Sequence, residues 1–538
     1  MVNSGQGDDA GEGSTLQQDL IQIPSDVNIA DLQDYTGNPF NTPSYFYTPY
    51  ATNPYFTINE NNTNVSGNNI FGNVNLSYKI TPELTATYQV GGNYRNERLK
   101  SYGAIVDYLP GSPQDLASAN RVVGGVTEQS IQRSEFDTFL NLNYRQDLSD
   151  SFRFDATAGV TYNQREVNTL LASITVLDVP NFYEIYNTAT RPNVTQGNSL
   201  RKTAAAYLQT ELSFKERLFL TLSGRVDKTS TLPDSDNVYF YPAASLSGIV
   251  YQSGSDYLKL RGGFAAVAND TDPYQLFNSI GVGSGAANFG TIDAPVDGIN
   301  FFEFSSLLGN PNLKPERTSE TELGVETNLF GGRLTFDGSV YYSKTTDLLV
   351  RQSIDPSTGF TARTGNAADL ENRGIEIALG ITPVKTTDFA WTLNYTFSKN
   401  MNEVTKVVGG GKTLLNSAYG VNFYAEEGQP VGTFYARTPV VNEQGQYVVN
   451  PDTGFYEVSA EENRIGNSQR DFIMGLQTTF TYKNLALSFA MDWKQGGEMY
   501  SYTKRLTNFV GNGIETTYND RQPFIIPNSV VDDGTGKL

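Results

Sequence analysis

The stretch Asn310 to Lys344, NPNLKPERTSETELGVETNLFGGRLTFDGSVYYSK, decides the fold because it reads as a β-hairpin with two chemically different faces. Side chains alternate along a strand, so Leu323, Val325 and Leu329 point one way while Glu320, Glu322, Glu326 and Asn328 point the other. The return arm repeats the pattern: Leu334, Phe336, Val340 and Tyr342 oppose Thr335, Asp337, Ser339, Tyr341 and Ser343. Gly331-Gly332 joins the arms, a pair that reaches positive φ without a steric penalty. One face is apolar and the other is wet.

The same unit recurs outward in both directions. Val74, Leu76, Tyr78 and Ile80 turn at Thr81-Pro82-Glu83 into Leu84, Ala86, Tyr88 and Val90. Leu140, Leu142 and Tyr144 turn at Ser149-Asp150-Ser151 into Phe152, Phe154, Ala156, Ala158, Val160 and Tyr162. Ala206, Leu208, Leu212 and Phe214 turn at Lys215-Glu216-Arg217 into Leu218, Leu220, Leu222 and Val226, and a further turn lies at Ser253 to Asp256. Beyond the quoted hairpin, Ile375, Ile377, Leu379 and Ile381 return as Trp391, Leu393, Tyr395 and Phe397. The last pair turns at Lys483-Asn484, between Phe472 to Tyr482 and Leu485 to Trp493. These arms total about fourteen strands in an antiparallel, all-β architecture.

Turns within hairpins are short, whereas the connections between them, Asn96 to Glu135, Arg165 to Leu200, Asn269 to Pro315, Thr346 to Glu371 and Asn400 to Gln469, are long and polar. Compact soluble domains rarely carry loops of that length. Transmembrane barrels do, on one side only, with strands of about 9–11 residues crossing the apolar band. The apolar face is therefore expected to meet lipid. A secreted β-sandwich, for example a glycan-binding adhesin, is the rival, and a passive porin shares every barrel feature.

Composition narrows the function. The 538 residues hold 58 Asp plus Glu against 38 Lys plus Arg, a formal charge of −20 that argues against nucleic acid as a partner. Cysteine and histidine are both absent, which removes disulfides, thiolate metal sites and the commonest catalytic base. No run of about 18 apolar residues suggests a membrane helix, and the mean hydropathy of −0.38 suits a barrel in which alternate residues face lipid. Neighbouring carboxylates such as Glu320 and Glu322 read as lining for a hydrated interior, so no catalytic residues, no metal site and no cofactor are expected. The acidic patches at Gly7 to Gly13, Asp234 and Asn269 read as solvated turns, and VVGGGKT at Val407 lacks phosphate-loop spacing.

The expected organisation is a loop-rich segment over 1–69, a barrel portion over 70–500 and a loop over 501–538. Asn38 to Phe56 concentrates aromatics among stiffening prolines, and its Tyr45, Tyr47 and Tyr50, with Phe301, Phe302 and Phe304 of a later loop, are the candidate ligand-stacking residues. Packing of the same rings against the barrel is the competing use.

Several stretches resemble the SusC/RagA family of TonB-dependent outer-membrane transporters. They include Asn310 to Val350, NPYFTINENN at Asn53, GRVDKTSTLPDSDNVYFYPAASLSG at Gly224, YLKLRGGFAAVAND at Tyr257, GNAADLENRGIEIALG at Gly365, GQPVGTFYA at Gly428 and Ile465 to Tyr500. Their order along the chain is the family's. The resemblance implies a barrel of about 22 strands with a plugged lumen, in the outer membrane of a Gram-negative cell. It further implies energy from the TonB complex acting through an amino-terminal plug, a SusD-like surface lipoprotein as partner, and oligosaccharide or peptide as cargo. The sequence departs from that pattern in showing no signal peptide, TonB-binding segment or plug, and in ending at VDDGTGKL without a closing aromatic strand. It is therefore expected to be an internal piece of such a barrel, supplying wall and loops.

Overall fold

The computed structural model describes residues 16–48, 51–117, 122–282, 284–287, 290–294 and 296–531. Tyr50, the acidic patch at Gly7 to Gly13 and the final DDGTGKL beyond Val531 lie outside the described residues.

Fourteen strands form one meandering antiparallel sheet, each paired with its neighbour in sequence along the ladder. They are β1 (Asn62–Lys79), β2 (Leu84–Val106), β3 (Val122–Ser149), β4 (Phe152–Ile174), β5 (Asn193–Phe214), β6 (Leu218–Thr229) and β7 (Val238–Ser253). The others are β8 (Asp256–Asn269), β9 (Glu316–Leu329), β10 (Leu334–Ser353), β11 (Ala362–Lys385), β12 (Phe389–Val407), β13 (Phe472–Tyr482) and β14 (Leu485–Gln495). Among the described residues β1 and β14 are each paired on one side only, and the two-residue strand Leu307–Leu308 adds a parallel pairing to β11.

Register carries the apolar face across the whole sheet. Leu76 stands opposite Tyr88, Tyr88 opposite Leu140, Leu140 opposite Val160, Val160 opposite Ala206, Ala206 opposite Val226 and Val226 opposite Phe240. Further round, Leu246, Gly262, Leu323, Val340 and Ile375 share a row, as do Leu379, Tyr395, Leu476 and Met491. A slip of one residue in any pair would break these rows, because it exchanges the two faces of a strand.

The apolar side chains are the exposed ones. In β6, Leu222 is 48 % exposed while Asp227, on the opposite face, is 7 % exposed, and Leu208, Leu246, Leu323, Phe489 and Trp493 are exposed as well. Buried positions on strands include Ser213, Thr229, Ser339 and Ser343. Among the described residues no second sheet covers the apolar rows, so the sandwich reading fails. An inside-out wall of this kind is stable only with hydrocarbon against its outer surface. Among the described residues no helix is long and apolar enough to cross a membrane.

The hairpin turns lie where the alternation predicts. In the quoted hairpin Gly331 and Gly332 adopt φ of 65° and 84°, and the Asp256 carboxylate of the adjacent turn accepts from the backbone N–H of Phe330 and Gly331 at 3.0 and 2.8 Å. The long connections are shorter than expected, because the strands outrun the membrane. The expected loops Asn96 to Glu135, Arg165 to Leu200 and Thr346 to Glu371 shrink to 107–121, 175–192 and 354–361, and β6 joins β7 through only 230–237. Likewise β1 starts at Asn62, not at Ile70. Past the lipid the strands pack against one another's extensions and the loops, as where Tyr102 and Ile105 lie against Val126, Ile174 and Leu177, so the ladder continues while the one-sided apolar alternation that reveals it stops.

Candidate functional site

Short turns and long connections alternate along the antiparallel meander, so the long connections emerge at the same end of the sheet, where several of them pack on one another. Residues 16–60, expected as irregular loop, contain short helices at Leu16–Gln22 and Pro54–Glu60. Asn53 caps the second helix, its Oδ1 accepting from Tyr55 N–H at 2.9 Å with Pro54 in the first turn. Its Nδ2 donates to the carbonyls of Leu32 and Asn41 at 2.9 and 3.0 Å, so one fully buried amide knots three parts of the segment together. Ile23, Leu32 and Phe46 form the small apolar core beneath it. Asp19 is buried in the same knot, accepting from Thr52 N–H at 3.1 Å and Thr57 Oγ1 at 3.2 Å. Burial outweighs those bonds and pushes its carboxyl up to about 6.

This knot is tied to other loops. Gln114 of the 107–121 connection donates to the carbonyls of Phe46 and Thr48 at 2.8 and 2.7 Å. Asn512, which follows the helix Tyr502–Phe509 after β14, donates to the carbonyls of Ile21 and Ile23. The 408–471 connection folds into a four-stranded sheet of Lys412–Ala418, Val421–Glu426, Thr433–Ala436 and Asn463–Asn467. At its hairpin tip Tyr419 stacks on Tyr500 and Tyr502, with the Arg505 guanidinium 4.4 Å from its ring. On that sheet Lys412 sits over the rings of Tyr424 and Tyr435, whose hydroxyls donate to Glu462 and Glu426.

The sequence-derived candidates fall in two places. Tyr45 and Tyr47 are partly exposed on the knot, but the Tyr47 hydroxyl is committed to the Gln22 carbonyl at 3.1 Å and its ring lies against Phe46. Burial and the nearby Asp19 drive the Tyr47 hydroxyl well above its ordinary range. Phe302–Phe304 pairs with Ile280–Val282, leaving Phe302 and Phe304 largely exposed and Phe301 half-buried. The two groups occupy different loops, with no hydrogen bond or ring contact between them among the described residues.

The inner wall is the second part of the site, and sequence reading saw its polarity but not its pattern. On β2 to β6 the polar face carries Arg95, Arg133, Arg165, Arg201 and Arg225, and on β9 to β11 it carries Glu320, Glu322, Glu326, Asp337 and Glu376. Long side chains lie flat over glycines of adjacent strands. A Cβ on Gly159 would fall 2.6 Å from the Tyr207 ring, and one on Gly324 would fall 2.7 Å from the Arg261 guanidinium. Glycine at these positions keeps the wall low. Among the described residues no group of three or more acidic side chains is placed to hold a metal ion.

A polar inner face, a lipid-facing exterior and one elaborated rim define the wall of a transmembrane β-barrel. The match to known proteins is specific: a family described as TonB dependent receptor-like, beta-barrel, covers residues 15–492, and the chain belongs to that family. TonB-dependent receptor P26 of Formosa agariphila is 25 % identical over 420 residues, 71 % of this chain and 41 % of that protein. TonB-dependent receptor SusC of Bacteroides thetaiotaomicron is 30 % identical over 204 residues, 34 % of this chain and 20 % of that protein. In fold, the RagAB peptide transporter structure superposes with a TM-score of 0.68 at 18 % identity, over 84 % of this chain and 50 % of that one. The chain spans less than half the length of these curated relatives. Its place is the outer membrane, its short turns are periplasmic and its loop layer is extracellular, and its family comprises receptors and transporters, not enzymes.

Proposed function

We propose that the chain supplies wall and mouth to an active importer of oligosaccharides or peptides that works with a SusD-like surface lipoprotein. Cargo captured at the extracellular layer passes down the polar interior when the TonB complex pulls on a plug region. The observation that carries the proposal is the inverted wall, continuous in register over fourteen strands. The fold shared with the RagAB peptide transporter is compatible with peptide cargo, and the sequence resemblance to the SusC/RagA family is what suggests oligosaccharide cargo and the lipoprotein partner.

In this scheme the loop aromatics Tyr45, Tyr47, Tyr50, Phe301, Phe302 and Phe304 contribute stacking area, which suits sugar rings and peptide side chains alike. The test is uptake of a labelled oligosaccharide or peptide by cells that carry the full-length receptor. Active import predicts accumulation that stops when the proton-motive force is collapsed. Uptake that continues unchanged would identify a passive pore instead.

A further inference from the structure

We infer that the arginines of β2 to β6 form a binding stripe for carboxylate groups spaced along an extended cargo, a specificity that rests on the polar face being the conduit. Two features of the wall lead there. The first is register: Arg95 stands directly opposite Arg133, and Arg165 directly opposite Arg201. Like charges directly opposite each other destabilise a sheet, so two such pairs on adjoining strands call for a use.

The second feature is which partner of each ion pair faces water. Glu97 accepts from both Arg95, at 2.5 Å, and Arg133. Glu135 holds Arg165 Nε at 2.7 Å, Asp227 holds Arg225 Nε at 2.6 Å, and Asp270 holds Arg201. A fifth carboxylate, Asp137, is half-buried and accepts from Asn163 at 2.5 Å. Positive and negative groups are therefore equal in number here, but they are not equally presented. The arginine side chains are 34–57 % exposed, whereas their four carboxylate partners are 2–32 % exposed. The carboxylates anchor the guanidinium groups from beneath and leave N–H edges turned to the interior.

A guanidinium offers five N–H donors in a planar fork that matches a carboxylate, and one already held on one edge loses little freedom when it binds on another. Adjacent strands are about 4.8 Å apart, so Arg95, Arg133, Arg165 and Arg201 repeat cationic groups across β2 to β5 at a spacing that a chain of carboxylates can follow, while Arg225, opposite Tyr207, lies further down the same face. It lies at the extracellular margin of the lipid band, level with the outward rings of Tyr94, Phe136 and Tyr162. On β9 to β11 the carboxylates are partly neutralised, Glu322 and Asp337 by Arg261 and Glu326 by Lys259, so the preference for anions rests on the arginines themselves. The chain's overall charge of −20 disfavours anionic cargo on average, yet the side chains presented at this stripe have the opposite sign.

The test uses the purified full-length receptor and four probes: hexagalacturonate, hexaglutamate and their uncharged counterparts maltohexaose and hexaglutamine. At low ionic strength the receptor should bind an anionic probe at least about tenfold more tightly than its neutral counterpart, and added salt should erase the difference. Comparing the two anionic probes separates a sugar source from a peptide source. The variant Arg95→Gln/Arg133→Gln/Arg165→Gln should lose about tenfold in anion affinity, which removes the preference for the anionic probe over its neutral counterpart. Should it fail to show heat-modifiable gel mobility, Arg165→Gln/Glu135→Gln removes a whole pair and carries the same expectation. Anion affinity that survives either folded variant overturns the stripe, as does a wild-type receptor with no preference for anions. Import of a neutral probe by such a receptor would leave the transport reading intact.

Discussion

The side-chain amide of Asn512 donates to the backbone carbonyl of Ile23 at 2.7 Å, joining segments separated by 489 residues that adjoin the two edge strands of the sheet. The same amide donates to the Ile21 carbonyl at 3.1 Å, and its Oδ1 accepts from Ser25 N–H at 3.1 Å. One side chain thus links the connection before β1 to the one after β14.

Removing that link has a measurable cost. Asn512→Ala leaves two carbonyls and one N–H without their partner, a loss of about 1–3 kcal/mol in docking of the two segments. Hydrogen exchange should accelerate across residues 20–26 and 505–513 while the strands stay protected. Unchanged exchange in both segments would mean that their contact does not depend on this amide.

Asp19 makes the knot pH-dependent. Its folded value of about 6 lies above the ordinary 3.8, so the folded segment binds more protons than the unfolded one between these values. Stability is therefore greatest below about pH 4 and falls as pH rises through about 6, by about 3 kcal/mol in total. Protease nicking within 16–60 should be faster at pH 8 than at pH 5, and Asp19→Asn should abolish the difference.

Asp270 anchors the 270–315 connection to the wall. It accepts from Arg201 Nε at 3.2 Å, from Thr231 Oγ1 at 2.7 Å and from Thr229 Oγ1, with its side chain 2 % exposed. Asp270→Ala leaves a guanidinium and two hydroxyls facing an empty position, at a cost of about 3–5 kcal/mol. The expected sign is early proteolysis between β8 and β9, with Asp270→Asn showing a smaller effect.

The two faces of β6 should respond oppositely to one added charge. Leu222→Arg puts a cation on the lipid side and should destabilise the barrel by about 2–4 kcal/mol, whereas Ser223→Arg, one residue on, should cost little. Denaturant unfolding of the full-length receptor from lipid vesicles measures both. Equal costs would show that the faces are not differently solvated.

How much of this was legible in sequence follows from where lipid lies. Leu218, Leu220 and Leu222 declare their strand because hydrocarbon admits only apolar groups on that side. Asn96 to Val106 continue β2 beyond the lipid, where Ser101, Ala104 and Val106 are buried and Tyr102 and Ile105 pack on Val126, Ile174 and Leu177, so no one-sided apolar alternation marks them as strand. The arginine stripe was hidden for another reason. Arg95, Arg133, Arg165 and Arg201 are scattered in sequence and become neighbours only once three hairpin registers are known. Tyr45 and Tyr47 stood out in the aromatic cluster, but the Gln22 carbonyl that holds Tyr47 carries no side-chain signal.

The orientation of the alternating faces is tested most directly by single-cysteine labelling, to which these 538 residues contribute no competing cysteine. A fluorophore placed in turn at Leu208, Gln209, Leu246 and Ser247 of the full-length receptor in vesicles would be challenged with brominated lipid and with aqueous iodide. Quenching by lipid at Leu208 and Leu246, and by iodide alone at Gln209 and Ser247, is the predicted result. Lipid quenching at Gln209 and Ser247, or none at Leu208 and Leu246, would contradict a wall that turns its apolar face to the membrane.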